Sequence, residues 1–227
     1  MMNTNGQASN PKDRVLPILE SLKDAVNALN APVITLLAEK GKAPYKILIA
    51  TILSLRTQDK TTHRALARLF EAAPTIEKIL ELDEAEIARL IYPVGFYRQK
   101  ARQLKQVACI LKERYHGNVP SSEEELLELP GVGKKTAALV LGKGFGIPAV
   151  CVDTHVHRIS NRLGLVKTKT PEQTQAALMA LLPKPFWVEW NDLLVALGQT
   201  LCHPTSPKCS VCPIAGLCPR MGVKRSR

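Results

Sequence analysis

Apolar residues recur along most of this chain at the three- and four-residue spacing that lines one face of a helix. Leu16, Leu19, Leu22 and Val26 make one such stripe, Ile47, Ala50, Ile52 and Leu55 a second, and Leu66, Leu69 and Phe70 a third. Strand-like alternation is scarce, so the pattern predicts an all-α fold. Boundary signals agree. In Thr170-Pro171-Glu172-Gln173 a capping threonine precedes a proline at the first helical position and a glutamine that closes a capping box, and Ser121 with Glu124 reads as a second box. Residues 1–12 are polar, rich in Asn, Gly, Ser and Pro, and are expected to form a disordered leader without a targeting signature. There is no internal repeat of solenoid length, and no biased tract beyond the basic end at 220–227.

One predicted helix has sharply different faces. Ala101, Leu104, Ala108 and Leu111 form its apolar stripe, while Arg98, Lys100, Arg102, Lys105 and Lys112 crowd elsewhere and read as a solvated face.

Composition adds a partner class. The chain has 227 residues, enough for one large or two small domains. Even the apolar run from Tyr45 to Leu55 is interrupted too early to span a membrane, so a soluble protein is expected. Lys and Arg number 31 against 20 Asp and Glu, a formal charge of +11, which points to a polyanion such as nucleic acid.

Four cysteines, Cys202, Cys209, Cys212 and Cys218, close the chain as C-x6-C-x2-C-x5-C. Thiolates this close together call for a metal. Paired disulfides are disfavoured, because there is no signal peptide and Cys109 and Cys151 suit a reducing, cytoplasmic compartment. Zinc ribbons usually pair two short C-x2-C knuckles and only one is present, yet spacing alone leaves structural zinc and an iron–sulfur cluster level.

The second chemical signal is Leu129-Pro130-Gly131-Val132-Gly133-Lys134-Lys135-Thr136-Ala137. Gly131 and Gly133 flank one apolar residue in a tight hairpin whose outward N–H groups, backed by the next helix, suit a backbone phosphate. A cation in the first turn of that helix opposes the dipole, and packing against the core would add a desolvation cost; both favour a neutral, nucleophilic amine. Lys134 and Lys135 point about 100° apart around the helix, so one reads as a phosphate clamp and the other as a nucleophile, in an order that spacing does not settle. Asp153, in Val152-Asp153-Thr154-His155, precedes the helical run Val156, Ile159, Leu163 and reads as an N-cap that could also stabilise a developing sugar cation. His155 and His157 read as core or surface histidines rather than metal ligands.

Together the 129–137 hairpin, the Val152-Asp153-Thr154-His155 segment and the cysteine run resemble the endonuclease III family of helix-hairpin-helix DNA glycosylases, from about Leu16 to Cys218. The resemblance implies a two-lobed fold. A six-helix barrel would occupy 33–146, with its helix-hairpin-helix at about 122–142, and 13–32 with 147–227 would form a cluster lobe around the iron–sulfur loop at 202–218. It implies a [4Fe-4S] cluster on the four cysteines, Lys135 as Schiff-base nucleophile and Asp153 as its carboxylate partner. Gly131, Gly133, Lys134, His155 and Lys208 then fall to DNA binding. Mismatch-specific branches typically carry tyrosine or serine where this chain has Lys135, so the lysine implies a bifunctional enzyme. Such an enzyme, a monomer, would excise oxidised pyrimidines from duplex DNA and cut at abasic sites by β-elimination. Three departures stand out, one of them between the first two cysteines, where Lys208 is the one basic residue and relatives often have several. Leu53-Ser54-Leu55-Arg56-Thr57-Gln58-Asp59 stands where many members have L-S-A-Q-A-T-D, so Arg56 takes the place of the gap-filling glutamine, with Gln58 as the alternative plug. Phe96, in Gly95-Phe96-Tyr97, replaces a leucine wedge.

Overall fold

A computed structural model of the chain describes residues 10–26 and 43–227. Among the described residues every regular element is helical. The all-α reading therefore holds. The chain divides into two compact units, 33–147 and, joining both ends of the chain, 1–32 with 148–227.

The 33–147 unit is built on α2 (Pro44–Ser54), whose residues from Ile47 to Leu53 are all buried. A helix apolar on every side belongs in the middle of a bundle. Around it stand α3 (Asp59–Ala72), α4 (Ile76–Glu81), α5 (Glu84–Ile91), α6 (Tyr97–Tyr115), α7 (Glu123–Leu127) and α8 (Lys134–Leu139), the last widening into a π-helical stretch, Val140–Phe145. The stripe expected on α6 is buried, with Val107 added to it. α5 starts on a full capping box, Asp83 with Glu86. The cap expected at Ser121 sits one residue later and is a simple one: Ser122 accepts from the Glu125 N–H and donates to its carboxylate at 2.7 Å.

The other unit packs α1 (Pro11–Val26) on α11 (Trp187–Thr200), with α9 (Thr154–Arg162) and α10 (Pro171–Leu181) beside them. Val15, Ile18, Leu19 and Leu22 meet Trp190, Leu194 and Leu197 in one core that Val156, Ile159 and Leu163 complete. Each fully buried side chain contributes about 1.5–3 kcal/mol by leaving water. The helix begins inside the segment expected to be a leader. Pro11 and Lys12 already belong to α1, capped by Asn10, whose side chain accepts from the Lys12 N–H at 3.1 Å. Residues 1–9 and 27–42 lie outside the described residues.

Candidate functional site

The hairpin after α7 closes through the Val132 N–H donating to the Leu129 carbonyl. Leu129 and Val132 are buried and anchor the turn. Gly131 has φ +79°, a left-handed conformation that favours glycine. At Gly133, the N-cap of α8, a Cβ would meet nothing within 4 Å, so its backbone faces open space. α8 then alternates sharply: Lys134 and Lys135 are exposed, and Thr136 and Ala137 are buried. Lys135 is thus presented at the surface of its unit rather than packed against the core.

A second exposed feature of the same unit joins two turns distant in sequence, at Arg56 and Phe96. Arg56 (φ 54°) and Phe96 (φ 58°) are both left-handed, a conformation that costs about 1 kcal/mol or more for a residue other than glycine. Their side chains stack, with the guanidinium 5.5 Å from the Phe96 ring centroid, and Phe96 is 58% exposed. Gln58 is exposed and caps α3 through its backbone carbonyl alone. Beneath Arg56 lies a residue that charge counting misplaced. Lys100, expected on the solvated face, is buried, and its ammonium donates to the Leu53 carbonyl at 2.9 Å, to the Leu55 carbonyl, and to Thr57 Oγ1 at 3.3 Å. Burial pushes its amine down to about 8. Lys105 likewise turns inward, to the carbonyls of Leu80, at 2.6 Å, and Leu82. The clue was present in the sequence. Lys100 stands one turn before Leu104, on the apolar stripe itself.

In the other unit Asp153 is the N-cap of α9, its Oδ1 accepting from the His155 and Val156 N–H groups at 2.8 and 2.9 Å. The capping role is therefore real. Asp153→Asn keeps a capping oxygen, whereas Asp153→Ala should cost about 0.5–2 kcal/mol of stability. Base-release rates measured beside melting curves separate the roles: a catalytic carboxylate predicts a large rate loss in Asp153→Asn at unchanged melting temperature, and a cap alone predicts wild-type rates. His155 is half-buried. Its Nδ1 lies 3.1 Å from the Arg158 guanidinium.

Cys202, Cys209, Cys212 and Cys218 carry free thiols and line one cavity together with Arg162 and Ile214. Cys202, Cys212 and Cys218 pack on the core described above. Three arginines bind the loop's carbonyls to α1 and α9. Arg14 donates to Leu163 and to Leu217 at 2.8 Å, Arg158 to Cys202 at 2.7 Å, and Arg162 to His203 at 2.7 Å and Pro204 at 2.6 Å. Arg162 also donates to Cys202 Sγ at 3.3 Å, a cation beside a thiolate in waiting. Burial pushes the Cys212 and Cys218 thiols up. Among the described residues no three His, Cys, Asp or Glu side chains converge on a single-ion site. Four thiols lining one cavity are the donor set that a four-cysteine zinc site and an iron–sulfur cluster both require. Lys208 is half-buried at the rim, its N–H bonded to the Leu201 carbonyl at 3.0 Å.

Comparison with known proteins agrees on both units. Residues 49–184 match the family described as HhH-GPD superfamily base excision DNA repair protein, and residues 202–218 match the iron-sulfur binding domain of endonuclease III. The second match starts and stops on the first and last of the four cysteines. Endonuclease III of Thermotoga maritima is 48% identical over 79% of this chain and 84% of its own length. A trapped covalent intermediate of endonuclease III with DNA is 32% identical at a TM-score of 0.80, over 92% of this chain and 96% of that one. A thermostable thymine-DNA glycosylase is 29% identical at a TM-score of 0.79, over 94% and 98%.

Proposed function

We propose, for a chain that belongs to the endonuclease III family of helix-hairpin-helix base excision DNA repair proteins, that it excises oxidised pyrimidines from duplex DNA and then cuts the strand it has opened. The observation that carries this reading is Lys135, an exposed amine at the second position of the helix that follows the hairpin. Its amine attacks C1′ of the flipped nucleoside and expels the base, leaving an imine. Loss of a C2′ proton then expels the 3′-phosphate, which is β-elimination. Asp153 supplies the negative charge that stabilises the developing sugar cation. Gly131, Gly133 and Lys134 hold a backbone phosphate, His155 and Lys208 add to the DNA contact, and Arg56 with Phe96 enters the stack around the vacated base.

Cys202, Cys209, Cys212 and Cys218 hold a [4Fe-4S] cluster. Bound there it ties the 202–218 loop to the core of its unit. No helix among the described residues is long and apolar enough to cross a membrane. The chain acts on DNA as a monomer in the cytosol.

The likeness to a thymine-DNA glycosylase leaves a second reading, base removal without strand cleavage, and Lys135 weighs against it. Borohydride trapping on abasic duplex, run beside base release from a panel of oxidised-pyrimidine and mismatched duplexes, decides between them. The bifunctional enzyme gives a trapped covalent complex and cleaved strand from oxidised pyrimidines. Base release without any trapped complex would support the mismatch reading, and neither product would reduce the protein to a DNA-binding module.

A further inference from the structure

The Arg56 and Phe96 turns come from α2–α3 and α5–α6, and each is held in a left-handed conformation that its own side chain does not favour. Two contacts lock them to each other. The Gly95 N–H donates to Thr57 Oγ1 at 3.1 Å, and a Cβ on Gly95 would lie 2.5 Å from the Arg56 carbonyl, so the backbones touch. Thr57 Oγ1 in turn donates to the Leu55 carbonyl at 3.2 Å and accepts from Lys100. The Lys100 ammonium therefore binds the end of α2, through Leu53 and Leu55, and the bridge to Gly95, through Thr57, from a buried position on α6.

A lysine on an apolar stripe is an expensive way to fill a core, since desolvating an ammonium costs far more than burying a methionine of the same length. What the ammonium adds is direction: its donors are aimed at the carbonyls where α2 stops and Arg56 begins. We infer that Lys100 and Thr57 are positioning residues that hold Arg56 and Phe96 as one rigid, stacked pair, so that the guanidinium and the ring enter duplex DNA together. The inference rests on the reading above that Arg56 and Phe96 enter the stack. It predicts a signature that plain loss of stability does not give. Opening a paired duplex at a lesion needs the pair in register, whereas an abasic nucleotide flips at lower cost.

The test compares base release from an oxidised-pyrimidine duplex with strand cleavage at a preformed abasic site. The holoenzyme, Lys100→Met, Thr57→Val, Arg56→Ala and Phe96→Ala are each measured beside a melting curve. Thr57→Val is the safeguard against misfolding, because it keeps the side-chain shape and deletes only the bridging hydroxyl. Lys100→Met and Thr57→Val should each slow base release by about tenfold or more, with abasic cleavage within about threefold of wild type, matching the two wedge variants. If the wedge variants show that split while Thr57→Val, and Lys100→Met if it folds, keep wild-type ratios, the positioning role is wrong and the wedge reading survives. Wild-type rates in both Arg56→Ala and Phe96→Ala would overturn the wedge reading and this inference with it. Equal loss of both activities in Lys100→Met and Thr57→Val, tracking a lower melting temperature, would reduce Lys100 to a structural cation.

Discussion

Lys135→Gln is expected to abolish the borohydride-trapped complex and to lower base release by about three orders of magnitude or more, while abasic-site binding and melting temperature stay near wild type. The reasons are local. Glutamine keeps most of the side chain's length and polarity, but its amide nitrogen has no available lone pair and forms no imine. Lys135 is exposed, so its replacement leaves no cavity in the core, which here begins with Thr136 and Ala137. Lys134→Gln is the paired control, because it lies on the same turn about 100° around the helix. If Lys134 clamps a phosphate, the variant should bind DNA more weakly at every sequence and its salt slope should fall by about 1, with trapping intact. Should the phenotypes come out exchanged, the nucleophile is Lys134. Trapping in both variants would remove the hairpin lysines from the chemistry altogether.

Much of this was legible because the signals are short in sequence. Gly131, Gly133 and the lysines after them describe a turn that needs few distant residues to form, and Asp153 before Val156 and Ile159 is a cap whichever way the rest of the chain folds. The apolar stripe of α6 was equally plain. What failed was the assumption that charge on a helix faces water. Lys100 is buried and Lys105 half-buried because carbonyls at the ends of α2 and α4 arrive there, and those carbonyls come from segments 47 and 25 residues away, with no mark in the α6 sequence. Arg158 and Arg162 were invisible for the same reason: their partners are carbonyls 44 and 41 residues on, in the cysteine loop. Caps slipped by one residue where two serines stand together, since either Ser121 or Ser122 satisfies the pattern and only the Glu125 contact chooses. Zinc against iron–sulfur stayed level on spacing, since both bind four thiolates; the family match decides it.

Cys212→Ala should discharge the brown colour of the purified protein, reduce iron and sulfide far below stoichiometric amounts, and free the 202–227 segment for proteolysis. Three of the four thiols lie against the apolar core of their unit, and burial already holds Cys212 and Cys218 in the protonated, uncharged form when no metal draws them. A bound cluster would take the four cysteines as thiolates and tie the loop at four points, so its binding energy would become folding energy for the loop. Structural zinc sites, the best measured comparison, supply about 10–16 kcal/mol, as much as the whole stability of an ordinary domain. Arg14, Arg158 and Arg162 cannot make up that loss, because hydrogen bonds from charged groups contribute only about 1.5–3 kcal/mol each. The loss should be uneven. Trp190, Leu194 and Leu197 pack on α1 without the cysteines, so α1, α9 and α11 should keep their helical signal while the loop melts, and 33–147 should resist protease as before. Visible absorption, iron and sulfide analysis and limited proteolysis read these outcomes separately. A colourless wild-type protein with one zinc per chain, or a Cys212→Ala variant that stays brown and protease-resistant, would show that the loop does not depend on a cluster.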